Sequence, residues 1–448
     1  MNMKGKKMMA CLLALALQTG VVAQEAPTSV GTLDLTLERA IEIALAENPT
    51  MKVADKEIEL KKTARSEAWQ SLLPTVDVSM NMTNNILVAE MVTGMGRFKM
   101  GVDGTVAAIG AASLNLPIFA PAVYQNIKLT KEDILSAQEK ARGSRLDLVN
   151  QVTKAYFSAL LAQDALHVMQ AGYKIAKDNF DVVNAKYQFG SVSEYDKISA
   201  EVQMRTMNAS LVSSQTGQTL SLLQLKVLMG VTEDVNIVIN DSLQAYENTL
   251  LLADAEMVGN DLEGNSALRQ LDYNISLLER SRKLLRTNFM PTIGLQLTGQ
   301  YQSYANHNWN VFDYQFSPSA TLAIAINIPI FHASNWTKMK TNRLQIEQLE
   351  ETRRDTQHRL MLAAESYKKN MASSIAQVES NREAVNQATK AVSISQKRYE
   401  VGRGTILEVN QSQVALTQSQ LTYSQSLYDY LNNRADLDYT LGRETYLK

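Results

Sequence analysis

The sequence predicts an α+β fold made of two internal repeats, each combining a pair of long β-strands with a very long α-helical hairpin. Three observations support this. Motifs recur at a constant spacing in the two halves of the 448-residue chain, two segments of each half alternate apolar and polar residues, and the remainder has helical spacing. With only 20 glycines and 8 prolines, against average usage of roughly 7% and 5%, the chain has few breakers and therefore few, long elements.

Motifs of the first half recur in the second. An offset of 212 residues relates three pairs: Leu116–Phe119 and Ile328–Phe331, Ala185–Gly190 and Lys397–Gly402, Leu228–Gly230 and Thr440–Gly442. Upstream the offset is 217, as between Leu72–Thr75 and Phe289–Thr292, so a length change of five residues falls between Pro74 and Pro117. The spacing predicts a first repeat over residues 24–230, a linker or equatorial region over 231–254 and a second repeat over 255–448 with a short C-terminal tail.

Residues 1–23 are expected to be a secretory signal peptide. Lys4, Lys6 and Lys7 precede an apolar run, Met8–Leu17, and Val21-Val22-Ala23 has the small residues of a cleavage site. The single cysteine, Cys11, lies in this run, so the mature chain is expected to lack thiol chemistry, disulfides and cysteine-ligated metals. The chain is expected to be exported, and its formal net charge of −2 gives no basic nucleic-acid-binding character.

Each half contains two segments with period-two alternation. Strand pairs are predicted over about 74–118 and 291–330, joined by loops from Asn84 to Ala107 and from about Gln302 to Ser317. Their length of about 9 to 11 residues is what a tilted strand needs to cross a bilayer. One face is apolar, and the other is expected to carry small or polar residues, among them Ser79, Asn115, Gln296, Thr298 and Ala325. The alternative, the edge of a soluble sandwich, fits poorly because the strands are isolated among helices.

The rest of each half is predicted to be helical. Thr36 is a candidate N-cap for a first helix, and long helical hairpins are predicted over 119–230 and 331–442. The 73 residues from Pro117 to Gly190, or from Pro329 to Gly402, correspond to roughly 100 Å of helix. Such helices have too narrow an apolar seam to be stable alone and are expected to pack against neighbours, including those of other chains.

Strand number indicates how such chains assemble. Four strands cannot close into a barrel, and eight strands from two copies would enclose an interior filled by side chains. Three or more copies would enclose an open lumen, and helices of about 100 Å would extend it far to one side of a membrane. The sequence therefore predicts an α+β membrane protein that forms a conduit across a cell envelope.

Leu35–Pro49 resembles the opening signature of TolC-like outer-membrane efflux proteins, as do the Leu-Pro-Ile-Phe-type segments and the turns at Tyr187/Gly190 and Tyr399/Gly402. The resemblance covers nearly the whole mature chain. It implies a homotrimer with a 12-stranded β-barrel in the outer membrane, continued by an α-helical coiled-coil tunnel in the periplasm. It also implies a periplasmic adaptor, an inner-membrane pump and outer-membrane lipid as partners, in a tripartite efflux or type I secretion system.

By this resemblance, the two hairpin turns form the inner tip of the tunnel, where the adaptor binds. The residues concerned are Gly190, Ser191, Val192, Ser193, Gly402, Arg403, Gly404 and Thr405. Glycine supplies a backbone conformation that other residues disfavour. The alternative is ordinary turn chemistry between antiparallel helices.

Three residues near the turns are candidates for the aperture: Asp196, Glu408 and Gln411. Related drug exporters carry acids here that ring the opening, and three copies of Glu408 would favour cations. Gln411 departs from a second acidic ring, which indicates a weaker cation filter. The alternative for Glu408 is an ordinary solvated helix charge.

Other functional classes receive no support from the sequence. Met80 and Met82 alternate with polar residues on the expected lipid face rather than forming a metal site. Nucleotide-binding loops, zinc-protease signatures and histidine triads are lacking, so no cofactor and no enzymatic activity are expected. The conduit is therefore expected to be passive. An exported coiled-coil scaffold without a pore would explain the helices but not the paired strands.

Overall fold

The computed structural model describes residues 32–94, 96–99, 101–231, 235–249 and 261–443. The expected signal peptide with Cys11, and residues 232–234 and 250–254 of the segment expected over 231–254, lie outside the described residues. The helices of the described part include none long and apolar enough to cross a membrane.

In chain order the strands are β1 (Thr32–Asp34), β2 (Thr75–Asn85), β3 (Glu90–Thr93), β4 (Gly96–Lys99), β5 (Thr105–Phe119), β6 (Asn236–Val238), β7 (Thr292–Asn306) and β8 (Ser317–Asn327). The helices are α1 (Leu37–Glu47), α2 (Pro49–Gln70), α3 (Pro121–Gln188), α4 (Glu194–Met229), α5 (Ser266–Thr287), α6 (Ala333–Glu400) and α7 (Ile406–Leu441). Short 3₁₀ segments lie at Leu243–Thr249 and Val311–Asp313.

The two long hairpins have identical helix lengths. Helices α3 and α6 have 68 residues each and α4 and α7 have 36 each, which corresponds to about 100 Å and 54 Å. Pro121 lies at the start of α3, where a missing N–H breaks no helical hydrogen bond. The first helix of the chain is in fact two helices, because Pro49 starts α2 and holds Asn48 in an extended conformation.

The long strands form one antiparallel sheet in the order β2-β5-β7-β8. Residues directly opposite each other share a face, so the register places Asp77, Ser113, Thr298 and Thr321 in one row across the sheet. The five small or polar residues expected on one face do lie together there. The opposite face is apolar and exposed, and includes Met80 at 88% and Ile324 at 65%.

The connections differ from the expectation in two places. The segment expected to be a loop from Asn84 to Ala107 contains the small hairpin β3–β4, and β7 continues to Asn306. Pro117 lies inside β5, which ends at Phe119, close to the expected end of the strand pair. Proline is tolerated there because β2 has ended: Thr75 pairs with Asn115, and a register shift follows Pro117.

Part of the segment 231–254, expected to be a linker or an equatorial region, is packed structure. β6 pairs in parallel with β1, and the following 3₁₀ segment contacts α3 and α7. The hydroxyl groups of Tyr156 and Tyr246 donate to one carboxylate oxygen of Asp241, at 2.7 and 3.0 Å. Burial, aided by Asp241, raises the pKa of both tyrosines, so both hydroxyl groups keep their protons. This network anchors the segment to the main apolar core around Tyr156 and Phe157.

Two asparagines join the short helices to the long hairpins. Asn48 caps α2, and its side-chain nitrogen donates to the carbonyl of Leu228 at the end of α4, at 2.7 Å. Asn265 caps α5 and donates in the same way to Thr440 at the end of α7, also at 2.7 Å. Each joint thus satisfies a helix start and a helix end at once.

At each joint, a glycine allows the two helix ends to approach each other closely. Gly230 and Gly442 have φ of 72° and 69°, a conformation that favours glycine. A Cβ at Gly230 would lie 2.9 Å from the carbonyl of Glu47, and one at Gly442 would overlap the carbonyl oxygen of Gly264. The recurring glycines at the ends of α4 and α7 are therefore required by the joints.

We expect Asn265→Ala to destabilise the protein by about 1–3 kcal/mol, because it removes a helix cap and leaves a buried carbonyl unpaired. The loss is measured as a lower midpoint of thermal unfolding, followed by circular dichroism. Asn48→Ala should act in the same direction. Asn386→Ala is the control. Among the described residues, this exposed side chain makes only one hydrogen bond, which is long and stays within its own helix. An unchanged midpoint in Asn265→Ala would contradict the role of the joint.

Candidate functional site at the helical tip

Both hairpin turns begin with a glycine in the left-handed conformation. Gly190 and Gly402 have φ of 67° and 73°. The amide of Ser191 donates to Lys186 at 2.9 Å, and that of Arg403 donates to Arg398 at 2.8 Å, which closes the ends of α3 and α6. A Cβ at either glycine would meet nothing within 4 Å. These glycines are therefore needed for backbone conformation, and the space beside them is open.

The returning helices begin with different caps. Asp196 completes a capping box: its amide donates to the Ser193 hydroxyl at 3.1 Å, and its carboxylate accepts from the Ser193 amide and hydroxyl, at 3.2 and 2.8 Å. In the second turn Thr405 accepts from the Glu408 amide at 3.3 Å, without a reciprocal contact from the carboxylate. The Asp196 carboxylate is used in capping, whereas that of Glu408 is not.

The Glu408 carboxylate instead lies near Arg398 on the preceding helix. The distance from Nη1 of Arg398 to Oε2 of Glu408 is 3.6 Å, and Nη2 of Arg398 donates to the carbonyl of Arg403 at 3.3 Å. The side chain of Glu408 is 43% exposed, so part of its negative charge faces solvent. Arg398 is not among the residues predicted from the sequence, because one arginine among many helix charges carries no periodic signal.

A small apolar cluster holds the two hairpins together beneath the turns. Phe180, Val192 and Tyr399 pack against its buried members, which come from three helices. The buried members are Val183, Ala200, Ile406 and Val409. Of the predicted tip residues, Val192 thus anchors the first turn. Burial, and then Asp196, raises the pKa of Tyr399, and Lys186 lies 4.8 Å from the centre of its ring.

Gln411 lines a groove between α4 and α7, which begins close to the tip. The groove has a volume of about 690 Å³, and its half-exposed apolar residues are Ile198, Val202, Leu407 and Val414. The spacing of these residues by four on α4 and seven on α7 was a signal available in the sequence. Gln411 and Glu408 are three residues apart on α7, as expected, but only Glu408 has a nearby cation among the described contacts.

The described residues contain no group of three or more histidine, aspartate or glutamate side chains placed to hold a metal ion. The tip is a surface of turns, charged side chains and a groove between helices.

Comparison with known proteins agrees with this fold. A family model described as outer membrane efflux protein matches residues 40–231 and 258–443, one segment in each half. The alkaline protease secretion protein AprF of Pseudomonas aeruginosa is 22% identical over 413 residues, which cover 89% of this chain and 83% of AprF. The outer membrane protein TolC of Vibrio cholerae is 20% identical over 332 residues, covering 72% of this chain and 75% of TolC.

Among solved structures, the CmeC outer membrane channel of Campylobacter jejuni superposes with a TM-score of 0.71 at 16% sequence identity, covering 94% of this chain and 90% of that one. At this identity the likeness concerns the fold. Together with the family model, it confirms the resemblance to TolC-like proteins. Because the family model spans both halves of the chain, this protein belongs to the outer membrane efflux protein family and is an outer-membrane protein.

Proposed function

We propose that three copies of this chain join edge to edge into one duct, a 12-stranded barrel in the outer membrane continued by a helical tunnel in the periplasm. The duct is the passive exit component of a tripartite efflux or secretion system. It conducts drugs, small molecules or polypeptides delivered by an inner-membrane pump through a periplasmic adaptor. The names of AprF, a secretion protein, and CmeC, an outer membrane channel, support an export role.

The observation that carries the proposal is the pair of open edges on the sheet. Strands β2 and β8 each have 11 residues and one neighbouring strand among the described residues. In lipid every backbone N–H and C=O needs a partner, so these edges must be paired. Because β2 and β8 differ, pairing between copies joins unlike edges, and such contacts terminate only by closing a ring.

The helices follow the same order as the strands. Helix α2 packs on α3, α3 on α5 and α5 on α6, so α2 and α6 lie at the two ends of their layer, as β2 and β8 do in theirs. A ring that pairs β2 of one copy with β8 of the next would therefore also bring α2 of one copy beside α6 of the next. Two copies would give a barrel of eight strands with a filled interior, whereas three give an open lumen.

The two faces of the sheet suit this arrangement. The exposed apolar face, with Val78 at 72% and Leu322 at 67%, fits contact with lipid. The row of Asp77, Ser113, Thr298 and Thr321 would then line a wet lumen. At the other end, the tip turns would meet the adaptor, and Asp196, Glu408 and Gln411 would surround the aperture.

Single-channel recording of the purified protein in planar bilayers tests the proposal. We expect a conducting, cation-selective channel. Glu408→Gln should lower the cation-to-anion permeability ratio by about twofold, because part of a solvent-screened ring of charge is removed. Arg398→Gln should raise the ratio, because it leaves the carboxylates of the ring uncompensated. Equal selectivity in the wild type and both variants would contradict the aperture, and a protein that does not conduct would contradict the channel.

The adaptor-binding role of the turns is tested with asparagine, which tolerates the left-handed conformation. The double change Gly190→Asn and Gly402→Asn keeps the turns but fills the open space beside them. We expect export in cells to fall by about tenfold, as for loss of central interface contacts, while membrane-inserted protein and channel conductance stay normal. Gly217→Asn, on an exposed and open helix position, is the control. Normal export by the double variant would count against binding at the turns.

A further inference from the structure

Helix α7 is tied to α3 by one buried polar contact near the tip. Gln413 is 1% exposed, and its side-chain nitrogen donates to the carbonyl oxygen of Gly172 at 2.7 Å. The two residues are 241 positions apart and belong to different hairpins. The side-chain oxygen of Gln413 has no hydrogen-bond partner among the described residues. This amide therefore loses its only protein partner if α7 moves along α3.

Three helices meet at this contact. Gly172 is buried, and a Cβ placed on it would lie 3.4 Å from the hydroxyl oxygen of Thr417 on α7 and 3.6 Å from the sulfur of Met207 on α4. The absence of a side chain at Gly172 lets α7 come close enough for a glutamine to reach the helix backbone. One turn away along α3, Val168 and Ala176 both carry a Cβ, so the same approach is not repeated there.

A second polar contact between the same helices lies higher up. Lys154 and Asn150 of α3 donate to Asp436 of α7, at 2.9 and 3.0 Å. Eighteen residues of α3, or about 27 Å, separate Lys154 from Gly172. Two polar contacts at different positions along α3 fix the axial position of α7, which is a stiff helix. Between them the buried residues Leu160, Tyr423 and Leu427 belong to the apolar core, and Ser424 of α7 forms a further hydrogen bond with the Asp164 side chain of α3.

The contact between Gln413 and Gly172 lies close to the proposed aperture residues. Gln413 is two residues from Gln411 and five from Glu408, a separation of less than about 8 Å along the helix. A buried amide with a single acceptor is a known way to specify register between helices, because sliding leaves it unpaired. Any axial movement of α7 would move Glu408 and Gln411 by the same amount.

We propose that Gln413 is the positioning residue of the aperture: its hydrogen bond to the Gly172 carbonyl sets the height of α7, and therefore of Glu408 and Gln411. This inference rests on the proposed channel function. In a ring of three copies, the three contacts would keep the Glu408 side chains at one level. Without them, the helices would occupy a range of axial positions and the constriction would be less well defined.

The test compares Gln413→Met with Gln425→Met in planar bilayers. Methionine is unbranched, apolar and similar in length, so it fills the same space without the hydrogen bond. Gln425 is an exposed residue on the same helix, bonded only to Asp429 one turn away, and serves as the control. Thermal unfolding of each variant is measured beside conductance and reversal potential, since a purely structural role of Gln413 would change the first and not the last.

A single hydrogen bond shifts a two-state population by roughly two- to tenfold, so we expect Gln413→Met to raise mean conductance by about twofold or more. Its reversal potential under a salt gradient should move toward zero, while its unfolding temperature stays near that of wild type. Gln413→Asn, which draws the amide back by one methylene, should have the same effect if the methionine variant does not assemble.

Wild-type conductance and reversal potential in either assembled variant overturn the positioning role. The same changes in Gln425→Met also overturn it, because loss of any glutamine on α7 would then suffice. The wild-type recording separates this inference from the proposed function. A conducting wild type with unaltered Gln413 variants contradicts only the inference, whereas a wild type that does not conduct contradicts both.

Discussion

Two asparagine joints determine the architecture of this chain. A helix start and a helix end that are buried against each other each leave backbone groups without partners, and Asn48 and Asn265 supply those partners on both sides. Because of these joints, α4 continues into α2 and α7 into α5. A helix of 36 residues and one of 22, placed end to end, then run beside most of a 68-residue helix. The chain can therefore leave the sheet, turn at the tip and return alongside itself.

The two repeats together still leave open strand edges. Each repeat supplies two long strands and one long hairpin, and the four-stranded sheet that they form has open edges at β2 and β8. Nothing within the described residues covers these edges. The same repeat that gives the chain its regularity thus leaves two strand edges open, which further copies would pair in the proposed duct.

At the tip, two turns of nearly identical geometry carry different chemistry. Both use a left-handed glycine and a hydroxyl cap, yet Asp196 returns its carboxylate to the cap while Glu408 directs its carboxylate toward Arg398. One acid is therefore committed to local structure and the other remains partly free. Such a difference between matching positions indicates where the two halves have separate roles.

Much of this could be predicted from the sequence, because long strands and helices produce period-two and helical patterns and the turns contain glycine. The small hairpin β3–β4 within the expected loop could not be predicted, since strands of four residues carry too little period-two alternation. The contacts Arg398–Glu408 and Gln413–Gly172 could not be predicted either, because single polar contacts between distant segments leave no periodic pattern. Sequence pattern thus identifies the elements, while the polar contacts that fix them relative to one another require the structure.

Electron cryomicroscopy of the purified protein in lipid nanodiscs tests most directly whether the open edges close into a duct. We expect a three-fold ring in which β2 of each copy is hydrogen-bonded to β8 of the next, with Glu408 of all three copies around the narrow helical end. A monomer or dimer whose β2 and β8 edges remain unpaired would contradict it.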